Sequence, residues 1–370
     1  MERMVAIYRV RSDAASIEAR ARAIALEQSV ELPPEAIFSE AVLRDVAGEV
    51  QAIGELGPGL FEVRIGLAAA TAGCDAGQLL NMLFGNTSLQ DDVTLWDAEF
   101  PEAMAANFGG PNYGISGLRK ICGAGNRALT CAAVKPQGLP PAELGALAGR
   151  LAAGGIDFIK DDHGLADQGY SRFAERVRAC AGAVCHASDD TGLLTSYVPN
   201  ISGDLNLAAA QIGLAMEEGI EAVMAEPMIL GLSNFNRLVR DFPGMAFFAH
   251  PAMGGAARIA PPLLLGKLFR MFGADATIFP NYGGRFSYSP ETCKAIADEA
   301  RRPWQPLKRT MPCPAGGMPL ERVPGILDFY GPETMLLIGG SLLAAGDRLT
   351  AEAVALQARV VRHFEGAGNA

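Results

Sequence analysis

At 370 residues, with 49% hydrophobic and 19% charged side chains, the chain holds material for more than one core and is far from the composition of a disordered protein. A formal charge of −10 and the lack of any basic stripe argue against nucleic acid or an anionic membrane as the main partner, because both need clustered Lys and Arg. No run of about 20 apolar residues could span a membrane, and MERMVAIYRV does not read as a signal peptide, so a cytoplasmic protein is expected. Its seven cysteines, odd in number and without CxxC spacing, are expected to be reduced and mostly buried.

Residues 4–10 are rich in β-formers and residues 13–28 carry Ala, Ile and Leu at helical spacing. Residues 60–68, LFEVRIGLA, alternate as a strand does, and 71–83 return to a helix. This predicts a small α+β domain, ferredoxin-like in class, over 1–100. Its polar spots Glu27-Gln28-Ser29 and Gly85-Asn86-Thr87 are accounted for by helix termination alone. Residues 101–128, rich in Gly and Asn, read as a connector. From 129 to the end, short apolar runs alternate with helical stretches. Strands are expected at 130–134, 156–159, 194–198, 221–225, 245–249, 275–279, 309–312 and 335–338. Eight β/α units of this kind predict a closed (β/α)8 barrel, and the chain lacks the GxGxxG turn of many open doubly wound sheets.

In such a barrel the residues just after each strand face the catalytic mouth. The densest group is in the run GGIDFIKDDHG, where Lys160, Asp161, Asp162 and His163 follow an apolar strand. Lys135 ends the first strand, Asn200 the third, Glu226 the fourth and His250 the fifth; Arg285 sits in a Gly-flanked loop after the sixth. Gly316-Gly317 follow the seventh strand and Gly339-Gly340-Ser341 the eighth, where barrels often hold a phosphate on backbone N–H groups. Each has a plainer reading: a solvated turn for the KDD group, tight turns for the glycines, a loop arginine for Arg285, a strand-end cap for Glu226. His163 can be a metal ligand, a general base or a hydrogen-bonded structural imidazole. His186 and His363 read as surface residues.

The order FGGPNYGISGLR, KPQGL, GGIDFIKDDHG, AHP, PAGG and IGGSLL resembles the large subunit of ribulose-bisphosphate carboxylase/oxygenase, and more closely the RuBisCO-like proteins. That resemblance implies that Lys160 is carbamylated by CO2 and holds Mg2+ with Asp162 and residue 163. It implies that Lys135 handles protons at the enediolate and that His250 handles protons or binds substrate. The two glycine pairs would form one phosphate site. It also implies a homodimer whose active site lies at the subunit interface, Glu27 and Asn86 of one subunit reaching the other's barrel.

Departures from the carboxylase pattern shape the expected function. KDDE is here KDDH, and a nitrogen ligand at His163 suits Mn2+ or another divalent metal better than Mg2+. Gln137 stands for a lysine, Pro251 for an arginine and Ala315 for a serine; the strand-six histidine is absent, and Arg285 takes the place of a lid lysine. Carboxylation of ribulose bisphosphate is therefore not expected. What survives suffices to make and quench an enolate. The expected activity is a metal-dependent isomerase or enolase acting on a phosphorylated keto sugar such as 5-methylthioribulose 1-phosphate, in methionine salvage. The alternatives are decarboxylation of a 3-oxo sugar-acid phosphate and, in another class, non-catalytic phosphosugar binding.

Overall fold

The computed structural model describes residues 2–286 and 288–365. Near the N-terminus, β1 (Arg3–Arg11), β2 (Glu49–Gly57), β3 (Leu60–Ala68) and β4 (Val93–Glu99) pair antiparallel in the order β2-β3-β1-β4. Alternation decides which face is covered: Phe61, Val63, Ile65 and Leu67 of β3 are buried, with Glu62 and Arg64 between them. The helix Ile17–Glu27 buries Ile17, Ala21, Ile24 and Ala25. The helix Ala76–Phe84 starts at Asp75, whose side chain accepts the Gln78 N–H at 2.7 Å, and near its end the Leu83 carbonyl accepts the Tyr8 hydroxyl at 2.6 Å. This is the βαββαβ order of a ferredoxin-like unit. It contains two strands that the sequence reading does not name. Of these, β2 has no fully buried residue, as befits an edge strand with one neighbour.

The stretch 101–128 is more than a connector, since it holds the helices Glu102–Asn107 and Gly114–Ile121. The second helix plugs the barrel floor: Ile115, Leu118 and Cys122 pack with Leu129, Met311 and Met335. Its start is pinned by Asp275, whose carboxylate accepts the N–H groups of Tyr113 and Gly114 at 2.6 and 2.7 Å.

Eight parallel strands follow: β5 (Leu129–Val134), β6 (Phe158–Asp161), β7 (Ser196–Val198), β8 (Ala222–Ala225), β9 (Ala246–Ala249), β10 (Ala276–Pro280), β11 (Met311–Ala315) and β12 (Met335–Leu337). They form two arcs, β12-β5-β6-β7 and β8-β9-β10-β11. One seam is closed by the Met224 N–H to the Pro199 carbonyl (2.9 Å) and the Ile201 N–H to the Met224 carbonyl (2.8 Å). At the other, the Thr334 hydroxyl donates to the Pro312 carbonyl (3.1 Å).

Three strands lie off their expected places, β7 only in starting at Ser196 rather than at 194. β11 runs over 311–315 rather than 309–312 and includes Pro312 and Pro314. Its Met311 N–H points to β10, donating to the Asp275 carbonyl at 2.8 Å, so the nitrogens of both prolines face β12, where they cannot donate. β6 starts two residues later than expected and includes Lys160 and Asp161. The preceding Asp157 is committed at the barrel floor to Arg127, at 2.7 and 2.8 Å. Among the described residues no helix is long and apolar enough to cross a membrane. The cysteines are all free, with only Cys74 and Cys185 exposed.

Candidate active site

Side chains alternate along a strand, and the core records which parity looks into the barrel. Cys131 of β5, Phe158 of β6, Val198 of β7, Met224 of β8, Phe248 of β9, Ile278 of β10, Cys313 of β11 and Leu337 of β12 share one interior cluster. Two residues further on, the same parity brings Lys160 inward, then Asp162, Asn200, Glu226, His250 and Ala315 at the mouth, while Asp161 faces outward. There Asp161 meets Arg176 at 3.0 Å, the Tyr197 hydroxyl at 2.5 Å and the Asn200 N–H at 3.1 Å. Asp161 therefore belongs to the packing between strand and helix.

Lys135, Lys160, Asp162, His163, His250, Arg285 and Gly316 line one cavity of about 650 Å3. The Lys135 ammonium lies 3.1 Å from Asp162 Oδ1, and His163 Nδ1 lies 3.4 Å from the same oxygen. Burial works against the Asp162 charge, but His163 and Lys135 together hold this carboxyl well below the usual range. Lys160 is 3% exposed and donates to the Asp161 carbonyl at 2.8 Å. Its burial pushes the amine down from its ordinary basicity, against the pull of Cys131 and Asp162. The rings of His163 and His250 stack at 4.3 Å and 11°. Burial, aided by Lys160 and His163, pushes His250 down to about 2, so it is neutral. Its Nδ1 accepts the Ala252 N–H at 3.2 Å, which leaves the ring proton on Nε2. The rest of the lining is largely apolar, with Pro251, Met253, Ile278, Phe279, Ala315 and Leu337.

Gly316 and Gly317 both adopt left-handed backbone, φ +98° and +86°, and a Cβ on Gly317 would lie 2.9 Å from Arg285 Cγ. The Arg285 N–H donates to the Gly316 carbonyl at 2.9 Å, so the glycine turn and the arginine loop are one unit. Gly339 and Gly340 open a short helix near β5, and the Ser341 hydroxyl donates to the Met318 carbonyl at 3.0 Å. Asn200 does not line the cavity; its side-chain N–H groups hold the carbonyls of His163 and Leu165, each at 3.1 Å. Glu27 and Asn86 meet at 2.9 Å on the N-terminal domain, away from the cavity of the same chain. The sequence places Glu226 at the catalytic mouth after the fourth strand, with a strand-end cap as the equal alternative; it is 6% exposed, and burial pushes its carboxyl up to about 7. Its parity, two residues past Met224, is the inward one. His186 is exposed beside Asp190, whereas His363 is partly covered and lies 3.2 Å from Asp328.

Among the described residues no three His, Cys, Asp or Glu side chains come together as a metal set. Asp162 and His163 offer two donor atoms 3.4 Å apart, a spacing that adjacent ligands of one ion can share. A third donor requires Lys160 in its carboxylated form, and its buried amine suits that change, since only a neutral amine attacks CO2. The residues thus fit a divalent ion, and the imidazole nitrogen favours Mn2+ or another transition metal over Mg2+.

The model of the ribulose bisphosphate carboxylase large chain catalytic domain matches residues 114–366. A 5-methylthioribulose-1-phosphate isomerase from Rhodospirillum rubrum is 56% identical over 97% of this chain and 96% of its own. A 2,3-diketo-5-methylthiopentyl-1-phosphate enolase from Geobacillus kaustophilus is 31% identical over 89% of this chain and 85% of its own. The crystal structure of a Rubisco-like protein from Rhodopseudomonas palustris superposes with a TM-score of 0.92 at 52% identity, covering 98% of both chains.

Proposed function

Since this chain belongs to the ribulose bisphosphate carboxylase large-chain family, among its RuBisCO-like members, we propose that it is a metal-dependent isomerase of a phosphorylated keto sugar, with 5-methylthioribulose 1-phosphate as substrate. The observation that carries this reading is that one cavity brings Lys135, Lys160, Asp162, His163 and His250 together with the Gly316 turn and Arg285, the rest of its lining being largely apolar. The charged group suits proton abstraction next to a carbonyl. The apolar lining suits an uncharged thioether end, and one arginine beside the glycine turn suits one phosphate rather than two. The 56% identity to an isomerase, against 31% to an enolase, favours isomerisation within this chemistry.

A divalent ion held by carbamylated Lys160, Asp162 and His163 would stabilise the negative charge that develops on the enolate oxygens. The chain's own groups do the rest. Lys135, 3.1 Å from Asp162, acts as its neutral amine, taking the proton from one carbon and returning it from the resulting ammonium to the next. His250, neutral and protonated on Nε2, donates to a substrate oxygen. The Gly316-Gly317 turn holds the phosphate on its N–H groups, and Arg285 covers it.

The test is deuterium incorporation from D2O into 5-methylthioribulose 1-phosphate, with divalent metal and CO2 present or removed. Wild type should exchange the proton next to the carbonyl and form an isomer, with Mn2+ supporting the rate at least as well as Mg2+. Lys160→Ala and Lys135→Ala should each lose about 100-fold or more. Release of CO2 from a 3-oxo sugar-acid phosphate without ketose exchange would establish the decarboxylase instead. Silence with both substrates, despite tight phosphosugar binding, would leave a binding protein.

A further inference from the structure

Two oxygens at neighbouring strand ends of the barrel lack the partners that buried acceptors normally find. Glu226 is 6% exposed and its Oε1 accepts no hydrogen bond; Asn200 is 1% exposed and its Oδ1 accepts none. The Asn200 side-chain nitrogen donates to the carbonyls of His163 and Leu165 at 3.1 Å each and lies beside the Glu226 carboxyl, whose Oε1 still has no partner. The two residues are on neighbouring strand ends, joined by the bridge between Asn200 and Met224, and both have the inward parity. Asn200 also ties this pair to the metal-binding run, since it holds the His163 carbonyl at 3.1 Å. A carboxylate and an amide oxygen, buried and unsatisfied on strand ends beside the run that carries the expected metal ligands, form an acceptor pair that a cation or its water can satisfy.

We infer that Glu226, with Asn200 beside it, is the outer carboxylate of the cation site and holds the ion through an intervening water. Glu226 then restores the hard oxygen charge that a histidine at position 163 does not bring. This role explains why Glu226 joins no three-residue ligand set by direct contact. It rests on the metal-dependent reading above. Outer partners of this kind usually set metal affinity within a factor of about 10 to 100.

The experiment is Mn2+ binding to the full chain, followed by electron paramagnetic resonance of the free ion, in bicarbonate buffer near pH 8. Glu226→Gln keeps the shape and removes the charge. We expect its Kd for Mn2+ to rise about 10-fold or more, with an intermediate rise in Glu226→Asp, while the metal-free melting temperature of Glu226→Gln does not fall. Mn2+ affinity equal to wild type in Glu226→Gln overturns the inference and leaves the isomerase reading intact. If Glu226→Gln does not fold, undiminished affinity in Glu226→Asp overturns it equally. A wild-type chain that takes no Mn2+ even with CO2 overturns both.

Discussion

His250 has an environment that costs stability on the acid side, and the cost has a definite sign. Its imidazole is held down to about 2 by burial and by the nearby cations, against about 6.5 in an unfolded chain. At pH 7 the folded ring is neutral and the unfolded ring mostly so, which leaves little difference between them. At pH 5 the unfolded ring takes a proton that the folded ring refuses, which favours unfolding by about 2 kcal/mol. Glu226 pulls the other way: with its carboxyl pushed up to about 7, the folded chain keeps a proton that the unfolded chain releases above about 4.5, so its share of stability falls as pH rises through that window. The two contributions oppose each other in metal-free protein between about pH 5 and 6.5. Replacing His250 by Asn removes one of them. Urea unfolding in chelator at pH 7 and pH 5 should therefore find His250→Asn gaining about 2 kcal/mol on wild type at the lower pH. An equal difference at both pH values would mean that the ring is not held neutral.

At the scale of elements, β6 shows how one strand separates chemistry from packing. Lys160 and Asp161 are adjacent and both buried, yet Lys160 looks into the barrel and Asp161 looks out to Arg176, where both members of the ion pair are fully covered. Asp161→Ala should cost about 3–5 kcal/mol, because it leaves the Arg176 guanidinium buried without its counter-charge. Chemical denaturation would register this loss, while the folded fraction should still exchange substrate protons; a cost under about 1 kcal/mol would sink the structural role. Much of this was legible in the sequence. Eight short apolar runs, each followed by a helical stretch, are enough to read the barrel, since strands buried on both faces need continuous Ala, Val, Ile and Phe. The IKDDH run marked the richest mouth. Less legible was the boundary of β6, because Ile156 and Asp157 look like strand residues but belong to its approach. β11 was displaced because MPCPA carries two prolines, which argue against a strand unless their missing N–H groups fall on a seam. Glu226 was legible as a residue of the mouth but not separable from a strand-end cap, because it precedes a proline and has no motif; its burial and the missing partner of its Oε1 single it out.

At the scale of the molecule, the position of Glu27 and Asn86 decides how many chains make a site. They meet each other at 2.9 Å on the N-terminal domain, and neither borders the cavity of its own barrel. On the same domain Phe38 is 98% exposed and Leu89, in the same short helix as Asn86, 83%, large apolar side chains for a second copy to cover. If the chain works as a homodimer with Glu27 serving the partner's barrel, two dead variants should rescue each other. A Lys160→Ala chain keeps its Glu27, and a Glu27→Ala chain keeps its Lys160. Random reassortment makes about half of the dimers hybrids, and each hybrid has one site with both residues intact, so the mixture should recover about one quarter of wild-type exchange. If Glu27 serves its own barrel, every site in the hybrid lacks one of the two residues and the mixture stays as inactive as its parents. Unfolding and refolding the two variants together, then assaying proton exchange against each refolded alone, separates the two arrangements. Recovery with Asn86→Ala in place of Glu27→Ala would place both side chains in the partner's site, while recovery with only one would assign the other to holding its neighbour in position.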